Sequence, residues 1–200
     1  MPTLRGLVLG LIPVVAAGCS SGTVSTLPPP EYDADAVAQA ALTQLDMNRN
    51  GQIEGAELDA CPALKLVLSA VDSNGDKGLS AAELKKRVEL YSRQGLVALT
   101  CTITLDGKPL AGATVTFDPE PFLTGLRPAT ATTDETGMAG TFHADGRSGT
   151  GLVAGLYRIR VTKAGTSLPA RYNSQSTLGR EVLTDARVGE ARIDLTLTGR

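Results

Sequence analysis

The sequence predicts an α+β protein in which a small helical unit precedes an all-β region. Apolar residues recur with a helical period between residues 35 and 94, where two oxygen-rich loops of twelve residues interrupt the pattern. From about residue 96 onward, apolar and polar residues alternate with a period of two, which is typical of half-buried strands. The chain of 200 residues is long enough for both parts to be folded.

The amino-terminal segment predicts export and attachment to a membrane. Arg5 precedes an apolar run over residues 6–17 that is too short for a good membrane span, and the run ends in Ala16-Ala17-Gly18-Cys19. This ending resembles a bacterial lipoprotein signal, which implies a signal peptide over residues 1–18 and lipidation of Cys19. The alternative is an ordinary secretory signal cleaved nearby, and both readings predict an exported chain.

Residues 19–34 are rich in Ser, Thr and Gly and contain three consecutive prolines, so they predict a flexible tether that stiffens toward its end. Acyl chains on Cys19 would hold the folded part at a membrane surface. The expected location is therefore the bacterial cell envelope, on the periplasmic side or on the cell surface.

The first oxygen-rich loop covers residues 46–57 and reads DMNRNGQIEGAE. A hard cation such as Ca²⁺ takes six to eight oxygen ligands, and this spacing lets one short loop supply them. Gly51 occupies the sixth position, where the chain turns sharply with a positive φ. The predicted ligands are Asp46, Asn48, Asn50, Gln52 through its main-chain carbonyl, Glu54 and Glu57.

The second loop covers residues 72–83 and reads DSNGDKGLSAAE. It departs from the first loop at the sixth position, where Lys77 stands between two glycines. A lysine in the left-handed region costs about 1–2 kcal/mol, which favours a distorted or weaker site. The second loop also offers three formally charged core ligands where the first offers two, so the sequence does not rank the two sites. The predicted ligands are Asp72, Asn74, Asp76, Gly78, Ser80 and Glu83.

Both loops resemble EF-hand loops, and the resemblance implies Ca²⁺ as the cofactor. Ile53 and Leu79 strengthen it, because they occupy the eighth position, where paired EF-hand loops lie side by side. The alternative is that Asp, Asn and Gly mark ordinary turns and that Ser80 and Glu83 form a helix capping box without metal. Two matching loops in tandem favour the metal site.

Helical patterns flank the loops. Before the first loop, apolar residues recur at intervals of four, and Pro62 interrupts the helical pattern between the loops. The loops start only 26 residues apart, and Met47 is the one methionine nearby. These features favour a compact EF-hand pair over residues 35–94, in which calcium acts on stability, over a sensor that opens a Met-rich groove.

The β-region, residues 95–200, contains about seven runs of alternating hydrophobicity separated by turn signals, and it predicts a seven-stranded sandwich. The segments TLDGKPLAGATVTF (104–117), ATTDETG (131–137) and GLYRIRV (155–161) resemble carboxypeptidase-regulatory-like, transthyretin-like domains. The segment LPARYN (168–173) and the closing alternation are also similar to planctomycete lipoproteins built around this module.

No catalytic site is predicted. The transthyretin fold also hosts a hydrolase that depends on several histidines, but this chain has the single histidine His143, which is expected at an exposed turn. Arg158 and Arg160 alternate on one strand and are expected to form a solvated or partner-facing stripe. A net charge of −2 without a basic cluster argues against nucleic-acid binding, and the few aromatic residues argue against stacking platforms.

Two cysteines remain besides Cys19. In an oxidising exported compartment, Cys61 and Cys101 predict a disulfide, which would clamp the helical unit to the sandwich. The alternative is two separately buried thiols.

These observations predict a calcium-binding envelope lipoprotein whose sandwich is a structural or adhesive module. The alternative is an accessory subunit of a secreted hydrolase or transporter, with the sandwich presenting a strand edge to an envelope protein partner. The sequence does not indicate an oligomeric state.

Overall fold

The computed structural model describes residues 31–140, 142–144, 151–183 and 192–199. The predicted signal peptide, Cys19, most of the tether and the turn at Asp145 and Gly146 lie outside the described residues. The predicted mixture of helices and strands is confirmed. The helical unit consists of α1 (Ala34–Leu45), β1 (Gln52–Glu54), a 3₁₀ helix (Gly55–Ala60), α2 (Pro62–Val71), β2 (Gly78–Ser80) and α3 (Ala81–Tyr91).

The helices begin where local chemistry favours them. Asp33 caps α1, since its Oδ1 accepts a hydrogen bond of 3.0 Å from the main-chain N–H of Ala36. Pro62 is the first residue of α2, where its missing N–H and fixed φ cost nothing. As predicted, Pro62 therefore separates the 3₁₀ helix after the first loop from the helix that enters the second loop. Ser80 and Glu83 form a capping box at the start of α3.

The β-region contains eleven strands in the described residues, more than the seven predicted, because several pairings are only two residues long. The strands are β3 (Leu96–Val97), β4 (Thr100–Leu105), β5 (Lys108–Pro109), β6 (Thr114–Pro119), β7 (Ala129–Thr132), β8 (Met138–Ala139), β9 (His143–Ala144), β10 (Leu152–Val153), β11 (Gly155–Thr162), β12 (Gly179–Val182) and β13 (Arg192–Leu197). A second 3₁₀ helix covers Ala170–Tyr172.

Two larger sheets organise these strands. One has five strands in the order β12-β11-β6-β7-β9, and all of its pairings are antiparallel. The other has β13 parallel to β4, and β4 also pairs with β5 and β8. Alternate residues of both sheets face one hydrophobic cluster, which includes Ile103, Phe117, Ile159, Val161 and Leu197. The period-two pattern of the sequence thus corresponds to this core.

A second hydrophobic cluster joins the helical unit to the β-region. It contains Val37, Leu64 and Val88 from the helices together with Phe122 and Leu156 from the β-region. At its helix-covered end β11 is buried on both faces, and only toward its other end do buried and exposed residues alternate. The helical unit therefore covers part of the outer face of the five-stranded sheet.

The helix α2 approaches β12 closely at Gly179. A Cβ atom at this position would overlap main-chain atoms of Pro62 and would lie 2.7 Å from the Cα of Ala63. Only glycine lets the two backbones come this close.

A buried ion pair also links the two parts. The guanidinium of Arg87 on α3 donates hydrogen bonds of 2.6 and 2.5 Å to the two carboxylate oxygens of Glu181 on β12. The hydroxyl of Tyr91, one turn further along α3, donates to the same carboxylate at 2.5 Å. All three residues are buried, and the hydrogen bond to Glu181 raises the pKa of Arg87, so Arg87 is charged. Both carboxyl oxygens of Glu181 accept hydrogen bonds from this group.

The predicted disulfide is absent. Cys61 and Cys101 are both free and fully buried, and they belong to different hydrophobic clusters. Burial raises the pKa of both thiols, that of Cys101 to about 12. The alternative of two separately buried thiols is what the structure contains, and the clamp between the two parts is provided by packing and by the Arg87–Glu181 pair.

The described end of the predicted tether contacts the fold. The hydroxyl of Tyr32 donates a 2.7 Å hydrogen bond to the carbonyl of Ala154, and its ring lies edge-on to Tyr91 at 6.3 Å. Among the described residues, no helix has the length and apolar character needed to span a membrane.

Candidate calcium-binding loops

The two loops follow the same backbone path although their glycines stand at different positions. In the first loop, Arg49 at the fourth position and Gly51 at the sixth have φ values of 60° and 89°. In the second loop, Gly75 at the fourth position and Lys77 at the sixth have φ values of 78° and 68°. The expected left-handed lysine is thus present, and the loop keeps its shape around it.

The aspartate at the first position of each loop folds the loop around its carboxylate. The Oδ2 of Asp46 accepts a 2.8 Å hydrogen bond from the main-chain N–H of Gly51, and the Oδ2 of Asp72 accepts one of 2.9 Å from the N–H of Lys77. Both donors are at the sixth position. This equivalence shows that the tight turn in each loop is organised by the same carboxylate–amide contact.

The side chains at the third and fifth positions make a repeated local contact. Each one accepts a hydrogen bond of 2.9–3.0 Å from the main-chain N–H two residues further along, and the four residues are Asn48, Asn50, Asn74 and Asp76. The hydrogen bond from the main chain of Gly78, followed by that from Asn74, lowers the pKa of Asp76. Asp76 is therefore a carboxylate at neutral pH.

Glu57, at the twelfth position of the first loop, closes that loop. Its Oε1 accepts hydrogen bonds from the main-chain N–H groups of Met47 and Asn48 at 2.8 and 3.1 Å. Its Oε2 accepts one of 3.0 Å from the N–H of Glu54, which completes a capping box for the 3₁₀ helix. The carboxylate is buried and spans the two ends of the loop.

Glu83 does the same in the second loop. Its Oε1 accepts from the main-chain N–H of Ser73 at 2.8 Å, and its Oε2 accepts from the N–H and the hydroxyl of Ser80 at 3.0 and 2.7 Å. Burial acts to raise the pKa of Glu83, but the hydrogen bonds from Ser80 and Ser73 outweigh it and hold the pKa at about 2. Each glutamate thus also has a capping role, which the turn-and-cap interpretation predicted for Glu83 and not for Glu57.

A short antiparallel ribbon joins the two loops. In the pairing of β1 with β2, Ile53 lies opposite Leu79, and both side chains are fully buried. These are the eighth-position residues that the sequence predicted to meet. The ribbon brings the two sets of oxygen donors into one unit.

The remaining predicted ligands lie on this ribbon or beside it. The Oε1 of Glu54 accepts a 2.8 Å hydrogen bond from the side-chain amide of Asn50 in its own loop. The side-chain amide of Gln52, in contrast, reaches the second loop and donates to the Oδ2 of Asp76 at 2.9 Å. Sequence reasoning assigned only the main-chain carbonyl of Gln52 and missed this contact, for which no local pattern gives a signal.

The donor chemistry of both loops fits a hard cation. Carboxylate and amide oxygens occur at the first, third, fifth and twelfth positions of loops whose backbones already turn around them. Within the described residues, no group of three or more His, Cys, Asp and Glu side chains stands together as a metal centre. The loops instead combine carboxylates with asparagine amides and main-chain carbonyls.

Sequence reasoning also missed a polar group at the junction of the two parts. Glu120 is only 3% exposed, and its Oε1 has no hydrogen-bond partner among the described residues. Arg158 lies 3.8 Å from its other carboxylate oxygen and donates a 2.5 Å hydrogen bond to the carbonyl of Ala60. Burial raises the pKa of Glu120, and the charge of Arg158 opposes that rise. Arg158 therefore faces the helical unit, whereas Arg160 pairs with Asp118 on the neighbouring strand.

His143 lies in the edge strand β9 of the five-stranded sheet.

A comparison with protein-family models, with curated proteins and with solved structures finds no match to this chain.

Proposed function

We propose that this protein binds Ca²⁺ through both loops and uses it to stabilise a fold exported to the bacterial envelope. The observation that carries the proposal is the equivalence of the loops in backbone path and in hydrogen bonding, from the first-position aspartate to the twelfth-position glutamate. Turns that formed independently would have no reason to share all of these contacts.

Asp46, Asn48, Asn50, Glu54 and Glu57 would hold one ion together with the main-chain carbonyl of Gln52. Asp72, Asn74, Asp76, Ser80 and Glu83 would hold the other together with Gly78. Bound calcium would neutralise the carboxylates that the loops bring together and would add stability by favouring the folded state.

A structural role of calcium is supported by the packing of the helices. Leu84 and Val88 on α3 and Leu64 on α2 are buried against residues of the β-region, such as Leu156. Opening the helix pair into a binding groove would expose this apolar cluster to water, at roughly 25 cal/mol per Å² of apolar surface. A sensor mechanism would have to break the core of the protein.

The β-region is proposed to be a carboxypeptidase-regulatory-like, transthyretin-like sandwich with a structural or interaction role. One antiparallel sheet and one mixed sheet that share a common core support this proposal. Lipidation of Cys19 would anchor the fold to a membrane, with the carboxyl-terminal part available to an envelope protein. On this basis we propose a planctomycete-like lipoprotein that joins an EF-hand pair to such a module.

Isothermal titration calorimetry of the mature chain tests the calcium proposal. Binding is expected with dissociation constants of about 10⁻⁴–10⁻³ M, the range of extracellular modules. The double variant Glu57→Gln, Glu83→Gln keeps side-chain size but loses the charge and one acceptor oxygen of each glutamate, so it should show no specific calcium heat. Absence of calcium heat from the unmodified chain at millimolar calcium would refute the proposal. If a magnesium titration gave the same heat as the calcium titration, selectivity of the loops for calcium would be refuted.

A further inference from the structure

One side-chain hydrogen bond connects the two loops, with its donor in the first loop and its acceptor in the second. Gln52 occupies the seventh position of the first loop, and its Nε2 donates to the Oδ2 of Asp76, the fifth-position carboxylate of the second loop, at 2.9 Å. In the first loop, the fifth-position Asn50 donates instead to Glu54 of its own loop. The second loop returns no such contact, because its seventh residue is Gly78.

The path of the Gln52 side chain depends on that glycine. A Cβ atom at Gly78 would overlap the Oε1 of Gln52 and would lie 3.1 Å from its Cδ. Gly78 does not have a positive φ, so its backbone conformation does not require glycine. The missing side chain provides space through which Gln52 reaches Asp76.

Asp76 is held from three sides. Its Oδ1 accepts from the main-chain N–H of Gly78 at 2.9 Å, and its Oδ2 accepts from the side-chain amides of Asn74 and Gln52 at 2.8 and 2.9 Å. Two of these donors belong to the second loop, and Gln52 is the donor from outside it. Gln52 thereby fixes the orientation of a carboxylate that the second loop offers to calcium.

We propose that Gln52 is a positioning residue that couples the two calcium loops. This inference rests on the proposed calcium function. The main-chain carbonyl of Gln52 belongs to the first site, while its side chain orders Asp76 in the second. An ion that fixes the first loop would therefore order a ligand of the second, and by linkage the reverse also holds. This route is separate from the apolar contact of Ile53 with Leu79.

Calorimetry on four variants tests the coupling, with calcium as the probe. Gln52→Met is the test substitution, because methionine keeps the unbranched shape and the main-chain carbonyl but cannot donate to Asp76. The four variants are Glu57→Gln, which disables the first loop, and Glu83→Gln, which disables the second loop, each with and without Gln52→Met. The loss of one hydrogen bond to the exposed carboxylate of Asp76 should weaken the second site about three- to tenfold. The first site should change by less than about twofold, since it loses no ligand.

Weaker calcium binding at the second site alone distinguishes a positioning role of Gln52 from a general structural effect, which would weaken both sites alike. Equal weakening of both sites, or no change at the second site, would overturn the inference while leaving the calcium function intact. Absence of calcium binding by the unmodified chain would overturn both. With both loops intact, binding curves should also become less cooperative in Gln52→Met, and unchanged cooperativity would count against coupling.

Discussion

At the scale of single residues, the two loops show how one backbone path tolerates different residues at its strained positions. Both loops place the fourth and sixth residues in the left-handed region, but the first loop has Arg49 and Gly51 there and the second has Gly75 and Lys77. Each loop thus keeps one non-glycine residue with a positive φ. The hydrogen-bonded aspartate at the first position holds these conformations in place.

Replacing Lys77 with glycine should stabilise the protein. The substitution relieves a left-handed side chain and should raise the free energy of unfolding by about 1 kcal/mol, measured by urea denaturation in the presence of a chelator. Lys77→Ala is the matched control, because it removes the charge and keeps the strain. If the alanine variant gained as much stability as the glycine variant, charge rather than backbone strain would be the cause.

Two buried glutamates have opposite environments. Both carboxyl oxygens of Glu181 accept hydrogen bonds from Arg87 or Tyr91. The Oε1 of Glu120, in contrast, has no hydrogen-bond partner among the described residues. Removing one partner of a buried ion pair lowers the free energy of unfolding, and so does the presence of a buried charge that is poorly paired. The two positions should therefore respond in opposite directions to the same substitution.

Glu181→Gln should lower the free energy of unfolding by about 3 kcal/mol, because it leaves the buried Arg87 without a counter-charge.

Glu120→Gln should raise the free energy of unfolding by about 1 kcal/mol at pH 8, since the neutral amide avoids a buried charge. The folded-state pKa of Glu120 is raised, so the stability that its protonated form contributes is lost as the pH rises through that pKa. The gain from Glu120→Gln should accordingly vanish below the usual glutamate pKa of 4.5. A gain that is the same at pH 4 and pH 8 would show that ionisation of Glu120 is not its cause.

At the scale of elements, the contact of α2 with β12 fixes the helical unit on the sheet. The contact depends on Gly179, which lies against Pro62 and Ala63 at the start of the helix. Further along the same strand, Glu181 receives Arg87 from α3. One edge strand thus receives both helices that follow the two loops.

Gly179→Ala should lower the free energy of unfolding by about 1–3 kcal/mol, because the added methyl group forces α2 away from β12. Gly140→Ala is the control: among the residues that the structure describes, its added Cβ would meet only the Cγ2 of Thr100, at 3.4 Å, in an ordinary contact. Chemical denaturation of both variants tests this pair. Equal losses, or a larger loss for Gly140→Ala, would contradict the close approach at Gly179.

The sequence was most informative where structure depends on neighbouring residues. The loops, the capping box at Ser80 and the break at Pro62 were predicted because spacing over twelve residues or fewer determines them. The pairing of Arg87 with Glu181 was not predicted, since 94 residues separate the two and neither has a distinctive local pattern. The disulfide prediction was wrong because a count of cysteines carries no information on which core each cysteine enters.

At the scale of the whole molecule, the shared cluster changes what calcium is expected to do. From the sequence alone, the helical unit and the sandwich are expected to be separate parts, so that calcium removal would loosen the helical half and leave the sandwich folded. The helices and the β-region, however, share a core through Phe122, Leu123 and Leu156. Calcium should therefore stabilise both parts together in one cooperative transition.

Thermal unfolding of the mature chain, with calcium and with a chelator, tests whether calcium stabilises the whole fold. At ten times the dissociation constant each site contributes about 1.4 kcal/mol. For two sites this predicts a rise in Tm of about 6–10 °C in a single transition that helical and tertiary signals report alike. The double variant Glu57→Gln, Glu83→Gln should show no calcium-dependent shift. An unchanged Tm of the unmodified chain at saturating calcium would show that calcium does not stabilise the fold, and a shift confined to the helical signal would show that it stabilises the helical unit alone.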